Sequence, residues 1–174
     1  MNIIDSQELV TIRIKECIYS EMHSEGLLHD VETFIPSYRM DEPMEEPCVW
    51  LFEHPTTVAD DKKGLLGGEL YLQTPFEFVC IVYDDDDIEQ SEMAGKNLAS
   101  RVTLSIIKNI IKLNKDGAIK KIDFDALYPV GEVIIKNKSN KAPATSVRII
   151  VKYYIDWMKC CKERIKKEKI IKGD

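Results

Sequence analysis

Between Glu69 and Asp84 the chain reads ELYLQTPFEFVCIVYD, and no other stretch so narrows what it can become. Leu70, Leu72, Phe76, Phe78, Cys80 and Val82 fall on one side of an extended chain, with Tyr71, Gln73, Glu77 and Tyr83 on the other. That period of two belongs to a strand with one face in a core. Pro75 within it predicts a bulge or an edge position. The period then changes. From Ile88 to Leu113, Ala94, Leu98, Val102, Ile106 and Ile110 recur at steps of four, with Leu104, Ile107 and Ile111 widening the stripe into one long helix. Its end, LSIIKNIIKL, is apolar around more of its circumference than one sheet face can use, so it is expected to be sandwiched or to meet another subunit.

Two roles compete for Asp84, Asp85, Asp86 and Asp87, which stand where strand hands over to helix. A carboxylate metal site needs side chains that converge, as in a DxDxDG loop with a distant Glu. Consecutive Asp side chains diverge, and the glycine is missing. As a cap the run is well placed: Asp accepts from free N–H groups at a helix start and suits the positive end of the helix dipole. It also stops an apolar strand from extending as an aggregation edge. A cap and a charged surface are therefore expected, not chemistry.

The remaining elements follow from the same patterns. SQELVTIRIKECIYSEM, with Asp5 or Ser6 as N-cap and Gly26 beyond its end, predicts a first helix. HDVETFIPSYRM holds a short strand, DEPMEEP a loop, CVWLFEH a strand, and PTTVADDKKGLLGG a long turn-rich connection. After the long helix, KIDFDALYPV alternates with Ile122, Phe124, Ala126 and Tyr128 on one side, and Gly131 bends the chain into EVIIKN. In TSVRIIVKYYIDW, Val147, Ile149, Val151, Tyr153, Ile155 and Trp157 form an inward row against Arg148, Lys152 and Asp156. A polar loop between these last segments predicts an antiparallel hairpin. The expected fold is α+β: a single domain over residues 1–157, a mainly antiparallel sheet packed against two helices in the order α-β-β-β-α-β-β. Residues 158–174, with seven Lys or Arg, form a basic tail, helical or disordered.

At 174 residues, 44% hydrophobic and 31% charged, the chain suits one globular core. No apolar run approaches the ~20 residues of a spanning helix, and MNIIDSQELV lacks the features of a secretory signal. A cytoplasmic location and no membrane contact are expected. Cys17, Cys48, Cys80, Cys160 and Cys161 are odd in number and irregularly spaced, which predicts reduced thiols, with Cys80 a small core residue. His23, His29 and His54 stand at no zinc-ligand spacing. Gly64, Gly67 and Gly68 read as turn residues, since DDKKGLLGGEL is no phosphate-binding loop. DFDALYPVGEVIIK places acids before a lysine-bearing strand in the manner of a metal-dependent nuclease, but Glu132 is four residues from Lys136 where that chemistry needs Glu-x-Lys. The basic tail carries Glu163 and Glu168 and no aromatic residue to stack on bases. No catalytic residue, metal site or cofactor is expected, and no enzyme activity.

Charge is unevenly spread. Residues 1–92 carry 5 Lys and Arg against 22 Asp and Glu, and residues 93–174 carry 19 against 8. Such a chain can present an acidic and a basic face to copies of itself. The helix SQELVTIRIKECIYSEM, the strand GELYLQTPFEFVCIVYD leading into SEMAGKNLASRVTLSIIKNI, and the closing pair FDALYPVGEV and TSVRIIVKYYIDW together resemble the tail-terminator, or tail-completion, proteins of long-tailed phages and prophages. The resemblance spans roughly Ser6 to Trp157. It implies a virion component assembled in the host cytoplasm, a homo-oligomeric ring, commonly a hexamer, that caps the tail tube, joins it to the head connector and lets DNA pass without sequence-specific binding. Asp84, Asp85, Asp86, Asp87, Ile107 and Ile111 are the expected oligomer or partner interface. The alternative is a monomeric cellular α+β protein that binds a ligand or partner without catalysis.

Overall fold

The computed structural model describes residues 3–36, 46–59, 69–83, 87–114, 119–134 and 141–156, and the side chains of these except 3–7, 69, 126–134, 141 and 156. In chain order the elements are α1 (Ile3–Glu21), β1 (Thr33–Ile35), β2 (Cys48–Glu53), β3 (Thr57–Val58), β4 (Glu69–Ile81), α2 (Ile88–Lys108), α3 (Ile110–Leu113), β5 (Ile119–Ile134) and β6 (Lys141–Asp156). The strands make one sheet in the order β1-β2-β4-β6-β5, with β3 beside β4. Only β1 and β2 run parallel; the other pairings are antiparallel. The expected α+β class and the β5–β6 hairpin are both present. Two short elements, β3 and α3, are additions to the expected order.

The alternation in the sequence decides which face is buried. Phe76, Phe78, Cys80, Val147, Ile149, Val151, Tyr153 and Ile155 all point to the helix-covered side, where they meet Val10, Ile14, Ile18, Leu98, Val102 and Ile106 in one cluster. Helix α2 lies across β4 and β6, and α1 packs beside α2. Tyr153 is buried to its hydroxyl, which shares a 3.0 Å hydrogen bond with the Thr74 hydroxyl, so the one polar tip in this row is satisfied. A second cluster sits on the reverse face: Ile35, Cys48, Trp50, Val79, Ile81, Ala142 and Ala144. Here the Trp50 Nε1 is buried without a hydrogen-bond acceptor among the described residues.

Four expectations need correction. Helix α1 begins at Ile3, so Asp5 and Ser6 lie inside its first turns instead of capping it. It ends at Glu21, and Gly26 serves the turn that follows: a Cβ there would overlap the Glu21 carbonyl. Pro75 marks no bulge, and the edge position expected for it is local: β4 lies inside the sheet, but beside Pro75 one of its sides has no strand partner. Its register with Ile150 is part of an unbroken run from Glu69 to Ile81 along β6. It is tolerated because β2 ends at Glu53 and β3 starts at Thr57, so on its other side the Pro75 carbonyl accepts from the His54 N–H at 2.9 Å where no ladder donor is required.

The long helix breaks at Asn109, and Leu104, Ile107 and Ile111 do not widen the buried stripe. Leu98, Val102 and Ile106 are buried as expected, joined by Ser91, Gly95, Ala99 and Ser105. Finally, β5 is one strand through Gly131, but its pairing with β6 slips at three places, between Ile119 and Lys121, between Phe124 and Leu127 and between Pro129 and Gly131. The slip after Phe124 breaks the expected alternation, and Phe124 itself is exposed.

Candidate functional site

Of the expected interface residues, Asp84, Asp85 and Asp86 lie outside the described residues. Asp87 is the N-cap of α2: its backbone is extended and its Oδ1 accepts from the Gln90 N–H at 3.0 Å. The Ser91 hydroxyl donates to the Asp87 carbonyl, closing the first turn. Glu89 adds negative charge in that turn, where the helix dipole favours it.

Ile107 and Ile111 lie at the other end of the same helical run, on its outward side. Ile111 is 83% exposed, Met93 73%, Leu104 51% and Ile107 46%. Asn109 serves both helices at the break: its N–H donates to the Ser105 carbonyl in the last turn of α2, and its carbonyl accepts from the Leu113 N–H in α3. The outward side thus carries an apolar row, acidic at its start (Asp87, Glu89, Glu92) and basic at its end (Lys108, Lys112). Single exposed apolar residues are ordinary, but a row of them is a mark of contact.

At the break, Asn109 is held by a partner that the sequence pattern did not reveal. Glu21, 3% exposed, accepts from the Asn109 side chain at 2.7 Å, from the Leu27 N–H at 3.1 Å and from Lys108 Nζ at 3.0 Å. Burial by itself would raise this carboxyl, but the bonds from Asn109, Leu27 and Lys108 together outweigh it and hold Glu21 below its usual range. One carboxylate therefore ties the end of α1 to the α2–α3 junction. A similar tie joins the Leu27–Asp30 turn to α2: Arg101 donates to the Leu27 carbonyl at 3.1 Å and forks onto Asp30, whose carboxyl it pulls below the usual range.

Beside the Glu21 node, Arg13, Glu16, Cys17, Ser20, Asn109, Lys112 and Leu113 line a shallow cleft of about 200 Å³. This is below the ~300–1,000 Å³ of typical small-molecule sites. Arg13 is already engaged there, donating to the Leu113 carbonyl at 3.0 Å. Cys17, at the cleft floor, has its thiol pushed up to about 12 by burial and by the Glu21 charge, and burial does the same to Cys48. Neither is a poised nucleophile, which needs a depressed value. Cys80 is fully buried, raised in the same sense.

The reverse face of the sheet is charged where it is not apolar. Glu77 holds His54 at 2.9 Å and lies 3.7 Å from its cross-strand partner Arg148. Asp123 sits between Lys121 at 2.6 Å and Lys152 at 3.5 Å, and Lys121 first, then Lys152, keeps its carboxyl below the usual range despite partial burial. Tyr71 and Tyr154 pack across the strands with ring centres 4.5 Å apart. Among the described residues, His, Cys, Asp and Glu nowhere gather in threes with the geometry of a metal site. His29 caps its own turn through the Gly26 carbonyl, far in role from His54. No helix among the described residues is long and apolar enough to cross a membrane. No protein-family model matches this chain, and no curated protein sequence matches it.

Proposed function

We propose that the protein is a non-enzymatic virion component, a tail terminator or head-tail connector that forms a ring on the tail tube and meets the head connector. The observation that carries this reading is the outward row Met93, Leu104, Ile107 and Ile111, exposed apolar surface along α2 and α3 that suits a partner. The order of elements, with one sheet and a long helix laid across it, fits the resemblance seen in the sequence. The opposite charge of the two halves of the chain favours a ring, because a cyclic joint brings different faces of neighbouring protomers together. On this reading the Asp84–Asp87 run lies at the rim or the lumen. At the rim it meets basic residues of a neighbour; in the lumen it keeps passing DNA phosphate from adhering.

Native mass spectrometry with negative-stain microscopy, over a wide concentration range at low and moderate salt, tests the reading. Closed rings of one size that loosen as salt rises are expected. A strict monomer under every condition overturns self-assembly and favours the monomeric binding protein, for which the Arg13–Lys112 cleft is the place to search.

A further inference from the structure

One end of the reverse sheet face is buried more deeply than the described helices and strands account for. Tyr71 is 7% exposed and the Lys152 side chain 16%. In register with Tyr154 and Gln73, they alternate with Leu72, Val151 and Tyr153, which belong to the helix-side cluster, so both point to the reverse side. Helices α1, α2 and α3 all add to that cluster, and among the described residues no helix or strand is laid over the reverse side. A sheet face left to water is polar. This end instead carries the Tyr71 and Tyr154 rings, 4.5 Å apart, and two residues further on the cross-strand pair Pro75 and Ile150, both half-buried.

We propose that this apolar patch seats the chain's own C-terminal segment, residues 157–174, folded back over the reverse face. Where the segment starts names it as the occupant. It follows Asp156, in register with Glu69 beside the two tyrosines, so its first residue begins about 10 Å from Tyr154 along the strand. Length agrees. The patch runs from Asp156 back to Ile150, about 20 Å at strand spacing, and the segment spans about 27 Å even if wholly helical. Its composition suits a cover. Trp157, Met158, Ile165, Ile170 and Ile171 supply apolar side chains, and its seven Lys and Arg lay their stems over the patch while their heads stay in water. The rival connection 60–68 starts near the same place, but it is half as long and is tied at both ends, to β3 and to β4.

This contact goes beyond the ring reading and uses the side of the sheet opposite Met93, Leu104, Ile107 and Ile111, so either can fail alone.

Hydroxyl-radical footprinting with mass spectrometry on the full chain tests it. In wild type, Tyr71, Tyr154 and Trp157 are expected to be oxidised severalfold more slowly than the same residues in the unfolded chain. In Trp157→Ser with Ile165→Ser and Ile171→Ser, oxidation of Tyr71 and Tyr154 is expected to rise severalfold, while helix-side Phe78 stays protected and shows that the fold is intact. Native mass of the same variant reads ring assembly separately and is expected to be unchanged. A wild-type Trp157 oxidised as fast as in the unfolded chain would overturn the proposal whether or not the variant folds. So would tyrosine protection that survives the triple variant, protection lost on Leu65→Ser with Leu66→Ser instead, or protection that disappears on dilution, which would assign the cover to another copy.

Discussion

On its helix-covered face the sheet presents Phe76, Phe78, Val147, Ile149, Val151 and Tyr153, all buried, with α2 laid over β4 and β6. The same strands on the reverse face carry an apolar cluster at the Cys48–Trp50 end and charged pairs, Glu77 with Arg148 and Asp123 with Lys121 and Lys152, at the other. The first face holds the fold together through area removed from water. The second trades part of that area for polar groups that contribute little to stability. Stability and surface recognition are thus divided between two sides of one layer, and substitutions can separate them.

The largest effect falls on the sealed side. Phe78→Ala removes a fully buried ring from the middle of β4, and is expected to cost about 3–5 kcal/mol, because the sheet and α2 cannot collapse into the space. Chemical denaturation checks this. Arg148→Ala, on the reverse face of the neighbouring strand, is expected to lose less than about 1 kcal/mol in the same experiment. Similar losses for both would erase the contrast.

Next comes the polar node at the edge of the sealed core. Glu21→Ala removes one of the two acceptors of the buried Asn109 amide, which keeps the Ser105 carbonyl, and the side-chain acceptor of the Leu27 N–H, with an expected loss of about 1–3 kcal/mol. The pH dependence has a definite sign. The folded carboxyl titrates below its ordinary 4.5, so the unfolded chain takes up the proton first as pH falls. The contribution of Glu21 is complete above about 4.5 and disappears as pH drops through the folded value. Thermal melts from pH 7 to pH 3 are expected to fall less steeply for Glu21→Gln than for wild type at the acid end. Parallel curves would remove Glu21 from the acid sensitivity.

A smaller effect is expected at Asp87. Asp87→Ala removes one side-chain acceptor at the start of α2, and about 1 kcal/mol of stability with it, whereas Asp87→Asn keeps the cap and most of the stability. If Asn and Ala lose the same amount, charge at the dipole and not capping is what Asp87 contributes.

How far the sequence carried the fold depends on which signal it used. Period-two alternation in β4 and β6 marked the buried rows residue by residue, because a strand covered on one face has no other way to arrange apolar side chains. The cap at Asp87 was legible for the same local reason. What failed was non-local. The exposure of Leu104, Ile107 and Ile111 depends on where the sheet ends, and a stripe widened on paper became two stripes in space. The break at Asn109 coincides with a bond from its amide to Glu21, far away in sequence, and no window of neighbours contains that fact. Pro75 sat safely inside the sheet because two other strands leave a gap beside it. Of the surface residues, Ile107 and Ile111 stood out as excess apolar side chains, while Glu77, Arg148 and Asp123 gave no sign, since charged residues at alternate positions are also what any solvated strand carries.

The weakest expected effect is the best probe of that charged reverse face. Glu77 and Arg148 face each other directly across β4 and β6, yet the closest recorded approach is 3.7 Å, Arg148 is two-fifths exposed, and the same Glu77 oxygen already bonds His54 at 2.9 Å. Shared geometry of this kind divides a modest Coulomb gain between two partners, and solvent screens both. A double-mutant cycle, Glu77→Gln with Arg148→Gln, is therefore expected to give a coupling below about 0.5 kcal/mol, shrinking further at high salt. A coupling several times larger, insensitive to salt, would mean that this end of the reverse face is shielded from water in solution. The contrast between the two faces would then be one between two buried surfaces, the second closed by a partner.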